Sequence, residues 1–309
     1  MTDALFDTKP KLNTLPQNPD PTSKGRFPKW LHMPMLSGEN LFQTGTILKK
    51  YNLNTVCEEA KCPNRLECFS KKTATFLLLG KECTRACGFC EIDFSKNPKP
   101  PEKDEPIRVA LSVKELGLRH VVLTMVARDD LFDGGASHLS KVIYEIRNQN
   151  TSTTIEVLTS DFAGNLDAVD TILNTRPEIY NYNIETVRRL TPKVRHKATY
   201  ERTLTLLSYI KTSKKATLVK SGLMLGLGET PDEVHETIND LKRADVDIIT
   251  IGQYLQASRL KLAVKEFIPP ETFKAYETYA NAIGIPHTYS GPFVRSSHNA
   301  SSILGKLME

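Results

Sequence analysis

The residues best suited to chemistry are the six cysteines of the chain, which fall into two triplets. The first triplet, in C-x4-C-x5-C spacing, is Cys57, Cys62 and Cys68, and the second, in C-x3-C-x2-C spacing, is Cys83, Cys87 and Cys90. Thiolates are soft ligands that suit zinc and iron–sulfur clusters. Since every thiol of the chain belongs to one of these groups, the sequence predicts metal binding rather than disulfide formation.

Disulfides and structural zinc are the two alternatives. Disulfide frameworks belong mainly to short secreted chains, whereas this chain has 309 residues and its first residues, MTDALFDTKPKLN, show no apolar secretory signal. Structural zinc needs four ligands, and neither triplet has a fourth cysteine or a histidine nearby. Three thiolates on a four-iron cluster leave one iron for another ligand. The two triplets therefore predict two cubane clusters.

The second triplet has Phe89 directly before its last cysteine and follows an apolar strand, which is the pattern of the radical S-adenosylmethionine enzymes. The first triplet narrows the resemblance to the lipoyl synthases. Further stretches agree with that family: PKWL at 28–31, DDLFDGGA at 129–136, KSGLMLGLGET at 220–230, GQYLQ at 252–256 and GPFVRSS at 291–297. The similarity extends from about Lys29 to Ser297.

The resemblance implies insertion of two sulfur atoms, at carbons 6 and 8, into an octanoyl chain bound to a lysine of a carrier protein. Those carbons are unactivated, so a cofactor radical has to carry the difficult step. The implied cofactors are S-adenosylmethionine and two [4Fe-4S] clusters. The implied ligands are Cys83, Cys87 and Cys90 for the cluster that binds S-adenosylmethionine, and Cys57, Cys62, Cys68 and Ser297 for an auxiliary cluster that supplies sulfur.

The serine ligand is the second serine of the RSS motif. Serine oxygen is harder than thiolate and should bind iron more weakly, which suits a cluster that is opened and consumed. The chain departs from the family after this motif, with His298 and Asn299 where Tyr-His is usual, and at Ala257, where proline is usual. We expect the ligand to be retained and the packing around it to differ.

The resemblance also implies contacts with S-adenosylmethionine from Phe89, Gly134, Gly135, Glu185 and Arg195. The two glycines would let the backbone approach the methionine amino group. Glu185 would accept the ribose hydroxyls, and Arg195 would pair with a carboxylate. Taken alone, the glycines are equally typical of a turn and Glu185 of a surface acid. The loop GLGET at 226–230 lacks the G-x-G-x-x-G pattern, and we expect its amides near the cofactor and Thr230 at a helix cap.

Apolar strands alternate with amphipathic helices from residue 75 onward. The predicted strands are 75–79, 120–125, 154–158, 179–184, 217–225 and 247–251, and the predicted helices are 41–51, 107–117, 137–148, 165–174, 200–210 and 230–243. This alternation predicts an α/β fold with parallel pairing. Six units fall short of eight, so we expect a partial (β/α)6 TIM-like barrel with N- and C-terminal extensions. Sites in such barrels form at the carboxyl ends of the strands.

The predicted organisation has four parts. They are a flexible arm at 1–27, an N-terminal extension at 28–72 that carries the first triplet in a loop, the radical S-adenosylmethionine barrel at 73–260, and a C-terminal extension with the RSS motif at 261–309. With 39% hydrophobic residues, 25% charged residues and a net charge of +5, the composition is that of an ordinary globular protein. No apolar run reaches the ~20 residues that a membrane-spanning helix needs.

The expected partners follow from the resemblance. They are octanoylated carrier proteins, namely E2 domains of dehydrogenase complexes and the H protein of the glycine cleavage system, and an electron donor such as ferredoxin or flavodoxin. We expect no nucleic acid and no membrane partner, and a cytoplasmic location because clusters need a reducing compartment. A radical methylthiotransferase would need wider cysteine spacing and an RNA-binding β domain. An electron carrier or cluster scaffold would not need a barrel.

Overall fold

A computed structural model of the chain describes residues 27–32, 39–71, 74–213, 215–216 and 218–297. Apart from Phe27, the predicted flexible arm lies outside these residues, and so do His298 and Asn299. None of the described helices is both long enough and apolar enough to span a membrane.

The strands of the described residues form two sheets. They are β1 (Asn54–Thr55), β2 (Thr75–Leu78), β3 (Glu82–Cys83), β4 (Asp93–Phe94), β5 (His120–Met125), β6 (Thr154–Leu158), β7 (Ile179–Asn181), β8 (Leu218–Leu225), β9 (Ile248–Gln253) and β10 (His287–Gly291). The larger sheet has the order β1-β2-β5-β6-β7-β8-β9-β10. Its strands pair in parallel, except that β1 is antiparallel to β2. Strands β3 and β4 form a small parallel sheet in which Cys83 pairs with Phe94.

The helices cover the outside of this sheet and its ends. They are α1 (Glu39–Lys50), α2 (Val56–Glu59), α3 (Arg65–Ser70), α4 (Glu105–Leu116), α5 (Ala136–Gln149), α6 (Leu166–Leu173), α7 (Thr191–Val194), α8 (Tyr200–Ser213), α9 (Pro231–Arg243) and α10 (Pro270–Ala282), with short 3-10 turns at Lys29–Leu31 and Phe162–Gly164.

Local sequence explains where several helices begin and which face they bury. Helix α5 buries Leu139, Val142, Ile143 and Ile146 on one face, because apolar residues at this spacing form one stripe of a helix. Helix α9 begins at the predicted cap: the Thr230 side chain accepts from the Glu233 amide, and the Glu233 carboxylate accepts from the Thr230 amide. Such a capping box satisfies amides that the first turn leaves free.

The partial barrel is confirmed, with two differences from the expected six units. Strand β10 adds one more parallel strand beside β9, and its sequence, HTYSG, has too few apolar residues to signal a strand. The first triplet is not simply held in a loop, because Cys57 lies on α2 and Cys68 on α3. Helices of four and six residues are too short to show a periodic pattern and depend on tertiary contacts.

A layer of buried charge lies inside the barrel. The Lys220 ammonium donates to both oxygens of Glu156 at 2.9 and 3.1 Å, and both side chains are 0% exposed. The amide of Asn181 donates to the same carboxylate at 3.1 Å. Alternate residues of a strand point to one face, so Lys220 and Gly222 share a face of β8. Because Gly222 lines the cavity described below, this ion pair lies beneath the cavity floor.

Candidate functional site

A cavity of ≈ 690 Å³ opens at the carboxyl ends of the parallel strands, a size typical of small-molecule sites. Cys62 of the first triplet lines it, together with all three cysteines of the second triplet. Ser297, which follows β10, lines the same cavity. Cys57 is buried in the hydrophobic core, and Cys68 packs against that core. The fold thus brings Cys62, the second triplet and Ser297, which are distant in sequence, to one cavity.

The loop of the second triplet is fixed by backbone contacts on both sides. The amide of Thr84 donates to the carbonyl of Ala127 at 3.0 Å, and the amide of Gly88 donates to the carbonyl of Val194 at 2.9 Å. The amide of Leu262 donates back to the Gly88 carbonyl at 2.9 Å. A Cβ at Gly88 would lie 2.9 Å from the Leu262 side chain. Glycine is therefore needed between Cys87 and Phe89 for this close approach.

The thiols lie in an apolar setting with few counter-charges. Backbone amides donate to two sulfurs, from Arg85 to Cys83 at 3.4 Å and from His196 to Cys87 at 3.3 Å. Burial raises the pKa of Cys57 and of Cys90 to about 12. Metal coordination requires thiolates, so bound iron would stabilise the ionised form of the thiols that burial disfavours.

The arrangement of the cysteines can be compared with the two alternatives to cluster binding, disulfide formation and a structural zinc site. No disulfide joins the six cysteines to one another. Within the described part of the chain, no three His, Cys, Asp or Glu side chains are arranged to hold a single metal ion. A single zinc ion needs its donors within ~2.3 Å of one point, whereas a four-iron cluster takes each thiolate on a different iron. The geometry therefore does not favour a mononuclear zinc site.

The loops that carry the two triplets are joined by an ion pair. The ammonium of Lys61, next to Cys62, lies 2.6 Å from the carboxylate of Glu91, which follows Cys90. The hydroxyl of Ser258 donates to the other oxygen of Glu91 at 2.9 Å. Lys61 has a φ of 49°, a left-handed conformation that non-glycine residues keep only where surrounding contacts impose it. These contacts fix the two triplets relative to each other.

Three of the predicted contacts for S-adenosylmethionine, Phe89, Glu185 and Arg195, line the cavity. Burial raises the pKa of Glu185, although Arg195 partly opposes this shift. The guanidinium of Arg195 donates to the hydroxyls of Tyr182 at 2.7 Å and Thr203 at 2.9 Å. Since both partners are neutral, the positive charge of Arg195 remains available to an anion in the cavity.

Gly134 and Gly135 are not among the residues that line this cavity, and their contact with S-adenosylmethionine stays a prediction. Their amides donate to Leu131 and Asp133. A Cβ on Gly134 would lie 2.8 Å from the Phe162 ring, and a Cβ on Gly135 would lie 2.4 Å from Leu79, so both glycines serve close packing. The part of this strand end that lines the cavity is residues 124–127.

The predicted role of the GLGET loop also changes. The amides of Gly226 and Leu227 donate to the carboxylate of Glu229, so they are not free to bind a cofactor. The loop does not contribute to the cavity lining. Its helix cap at Thr230 is confirmed.

Comparison with known proteins decides the family. The sequence model of the Radical SAM superfamily matches residues 77–241. A lipoyl synthase of Protochlamydia amoebophila is 60% identical over 310 residues, which covers 97% of this chain and 96% of that protein. A lipoyl synthase of Chlamydia felis is 51% identical over 284 residues, covering 92% and 91%.

The chain belongs to the lipoyl synthase family. Lipoyl synthases are radical S-adenosylmethionine enzymes that transfer sulfur, and membership implies one [4Fe-4S] cluster, S-adenosylmethionine and a lipoyl carrier as protein substrate.

Solved structures agree with the lipoyl synthase assignment at the level of the fold. Streptococcus suis SuiB, in a crystal structure bound to S-adenosylmethionine, has a TM-score of 0.55 at 11% identity, and the match covers 74% of this chain and 54% of SuiB. HydG, a maturase of the [FeFe]-hydrogenase, has a TM-score of 0.54 at 16% identity, covering 69% and 49%. The likeness therefore spans about half of each of those chains and concerns the fold alone.

A network of ion pairs that the sequence did not predict lies beside the second triplet of this lipoyl synthase family member. Arg85 pairs with Asp161 at 2.6 Å and with Asp129 at 2.7 Å. Arg202 also pairs with Asp161, at 3.0 Å. Asp161 follows β6, and a charged residue beyond the end of a barrel strand was a signal that could have found it. The network holds the loop after Cys83 against the ends of β5 and β6.

Gly252 provides a test of how the lipoyl synthase fold positions the RSS motif. A Cβ at this position would lie 2.0 Å from the carbonyl oxygen of Val294. Since that oxygen belongs to the backbone, the overlap can be relieved only if the backbone of one of the two segments shifts. We expect Gly252→Ala to displace the 292–297 turn and with it Ser297. If Ser297 ligates a second [4Fe-4S] cluster, as the sequence predicts, anaerobic iron and sulfide content should fall by about half.

The matched control for that variant is Gly45→Ala, because nothing lies within 4 Å of a Cβ built there. It should keep full iron content. A Gly252→Ala protein with full iron and sulfide content would contradict the proposed contribution of this turn to cluster binding.

Proposed function

We propose that this chain inserts two sulfur atoms, at carbons 6 and 8, into an octanoyl chain carried on a lysine of a carrier protein. The observation that carries the proposal is the meeting of Cys62, all three cysteines of the second triplet and Ser297 on one cavity. A radical formed at one centre has to meet its sulfur source without leaving the site, so two centres on a shared cavity suit this reaction.

Cys83, Cys87 and Cys90 are the proposed ligands of the cluster that binds S-adenosylmethionine. Once bound, this cluster supplies the electron that converts the cofactor into a radical. Glu185 would accept the ribose hydroxyls, and Arg195 would pair with the cofactor carboxylate. Phe89 lies between the last two ligands and lines the cavity, where its ring would pack beside the cofactor.

Cys57, Cys62, Cys68 and Ser297 are the proposed ligands of the auxiliary cluster, which would serve as the sulfur source. Arg295 tests whether this side of the cavity fits such a group. Its guanidinium donates only to the carbonyls of Val294 at 2.7 Å and Pro292 at 3.3 Å, and no described carboxylate pairs with it. Burial lowers the pKa of Arg295, while Cys62 opposes the shift.

A desolvated guanidinium without an anion is unfavourable. A cluster held by thiolates and a serine oxygen carries net negative charge, so its presence beside Cys62 would compensate Arg295. The residues present therefore fit an auxiliary [4Fe-4S] cluster.

The protein itself supplies positioning and exclusion of water. Apolar side chains from several strands line the cavity, among them Leu77, Val126, Leu158 and Leu223. These walls keep water from the reacting carbons. Octanoylated E2 domains and the H protein are the proposed substrates, and a ferredoxin or flavodoxin is the proposed electron donor, in the cytoplasm.

The activity is tested with anaerobically reconstituted protein, reductant, S-adenosylmethionine and an octanoyl-lysine peptide. We expect 5′-deoxyadenosine together with lipoyl-lysine peptide. An electron carrier would release no 5′-deoxyadenosine, and a methylthiotransferase would not add sulfur to the peptide. Either of those results would refute the proposed function.

A further inference from the structure

Leu260 is an apolar side chain that the structure leaves almost entirely in solvent, 94% exposed. It lies in the turn 258–261, which directly follows three residues of the cavity lining, Leu255, Gln256 and Ala257. A single exposed leucine is ordinary on a protein surface. Leu260 differs from an ordinary exposed leucine in three respects: it follows residues of the cavity lining, its turn is held by hydrogen bonds, and the turn is positively charged.

The turn 258–261 is held in place by hydrogen bonds. The amide of Lys261 donates to the Ser258 carbonyl at 3.1 Å, and the Ser258 hydroxyl donates to Glu91 at 2.9 Å. The amide of the next residue, Leu262, donates a hydrogen bond to the carbonyl of Gly88 on the loop of the second triplet. An anchor that is already ordered loses little conformational entropy when it binds a partner.

The charge around Leu260 is positive. Arg259 and Lys261 flank it, and neither forms an ion pair within the described residues. Lys61, which is paired with Glu91, lies on the same side of the mouth. The same Glu91 carboxylate accepts from the Ser258 hydroxyl of the turn, so Lys61 and the turn meet at one carboxylate. This patch suits a partner surface that carries carboxylates around an apolar depression.

We propose that the turn 258–261 is the docking contact for the folded carrier protein, with Leu260 as apolar anchor and Arg259 and Lys261 pairing with acidic groups of the carrier. The inference rests on the proposed function. A cavity of ≈ 690 Å³ admits a lysine-linked chain and a cofactor but not a protein domain. The body of the carrier must therefore rest on the rim while its modified lysine reaches inside.

The test compares two substrates, an octanoylated folded carrier domain and a short octanoyl-lysine peptide. We expect Leu260→Ser to raise KM for the carrier domain about tenfold or more, as truncation of an anchor residue does. The KM for the peptide should stay within about twofold, because the peptide does not need the rim. Arg259→Ser should weaken carrier binding and reduce its dependence on salt.

The matched control is Tyr144→Ser on α5, since Tyr144 is 52% exposed and does not line the cavity. It should leave both KM values unchanged. An unchanged carrier KM in Leu260→Ser, or an equal rise for both substrates, would overturn the docking proposal. If wild-type protein adds sulfur to neither substrate, the proposed function fails instead. The docking proposal is then tested without activity, by calorimetric titration of wild type and Leu260→Ser with the octanoylated carrier domain. Equal affinity of the two proteins would overturn the docking proposal.

Discussion

Replacing Cys62 by alanine should separate cleavage of S-adenosylmethionine from insertion of sulfur. We expect Cys62→Ala to cleave S-adenosylmethionine at a rate within about threefold of wild type while making no detectable lipoyl product. Cys62 lines the cavity on the side of Arg295, and its loss would leave the proposed auxiliary centre with two thiolates and a serine. Loss of one thiolate ligand should weaken cluster binding there.

The control is Cys87→Ala, which removes a ligand of the other centre. It should lose both 5′-deoxyadenosine formation and lipoyl product, while about half of the iron remains. The measurement is the amount of 5′-deoxyadenosine and lipoyl-lysine peptide in one anaerobic reaction. Lipoyl product from Cys62→Ala, or cofactor cleavage by Cys87→Ala, would show that the two triplets do not divide the work as proposed.

The largest loss of stability should come from breaking the ion pair beneath the cavity floor. Lys220→Met leaves Glu156 buried without its ammonium, and removal of one partner of a buried pair costs about 3–5 kcal/mol. His120, whose ring nitrogen lies 3.7 Å from Glu156, would compensate only in part. The free energy of unfolding by urea, measured on anaerobic protein, should fall by that amount near pH 7.

This loss should depend on pH. Burial opposes ionisation of Glu156, yet Lys220 and His120 hold its pKa below the usual value. In the wild type the pair therefore stabilises the fold above the unfolded pKa of about 4.3 and loses its contribution as pH falls further. Without Lys220 the folded pKa of Glu156 rises, so the deficit of the variant should shrink as pH is lowered from 8 toward 5.

A second substitution provides the control. Glu156→Gln added to Lys220→Met removes the unpaired charge but keeps an oxygen that can accept from Asn181, so most of the lost stability should return. If the double variant is as unstable as Lys220→Met, the charge of Glu156 is not the cause. The deficit would then come from the altered packing at position 220.

The sequence was sufficient for the features that follow from periodicity and from the parallel fold. His120–Met125 and Thr154–Leu158 were predicted with their observed bounds, because long apolar runs are buried on both faces of a parallel sheet. The placement of the cysteine-loop residues and Glu185 at one cavity followed from the rule that carboxyl ends of parallel strands share one edge.

The errors arose where local sequence carries little information about distant contacts. Strand β10 depends on pairing with β9 rather than on its own polar sequence. The proximity of Arg295 to Cys62 and the ion pair of Lys61 with Glu91 bring together segments that are separate in the chain, so no spacing could reveal them.

The central claim is that the protein itself provides the sulfur, from an auxiliary centre on the same cavity as S-adenosylmethionine. The direct measurement is a single-turnover reaction of protein reconstituted with ³⁴S-labelled sulfide, transferred to unlabelled buffer and given an octanoyl-lysine peptide. Mass spectrometry should find both sulfur atoms of the lipoyl product labelled in the wild type. Unlabelled lipoyl product would show that the sulfur comes from elsewhere and would contradict the proposed role of the first triplet.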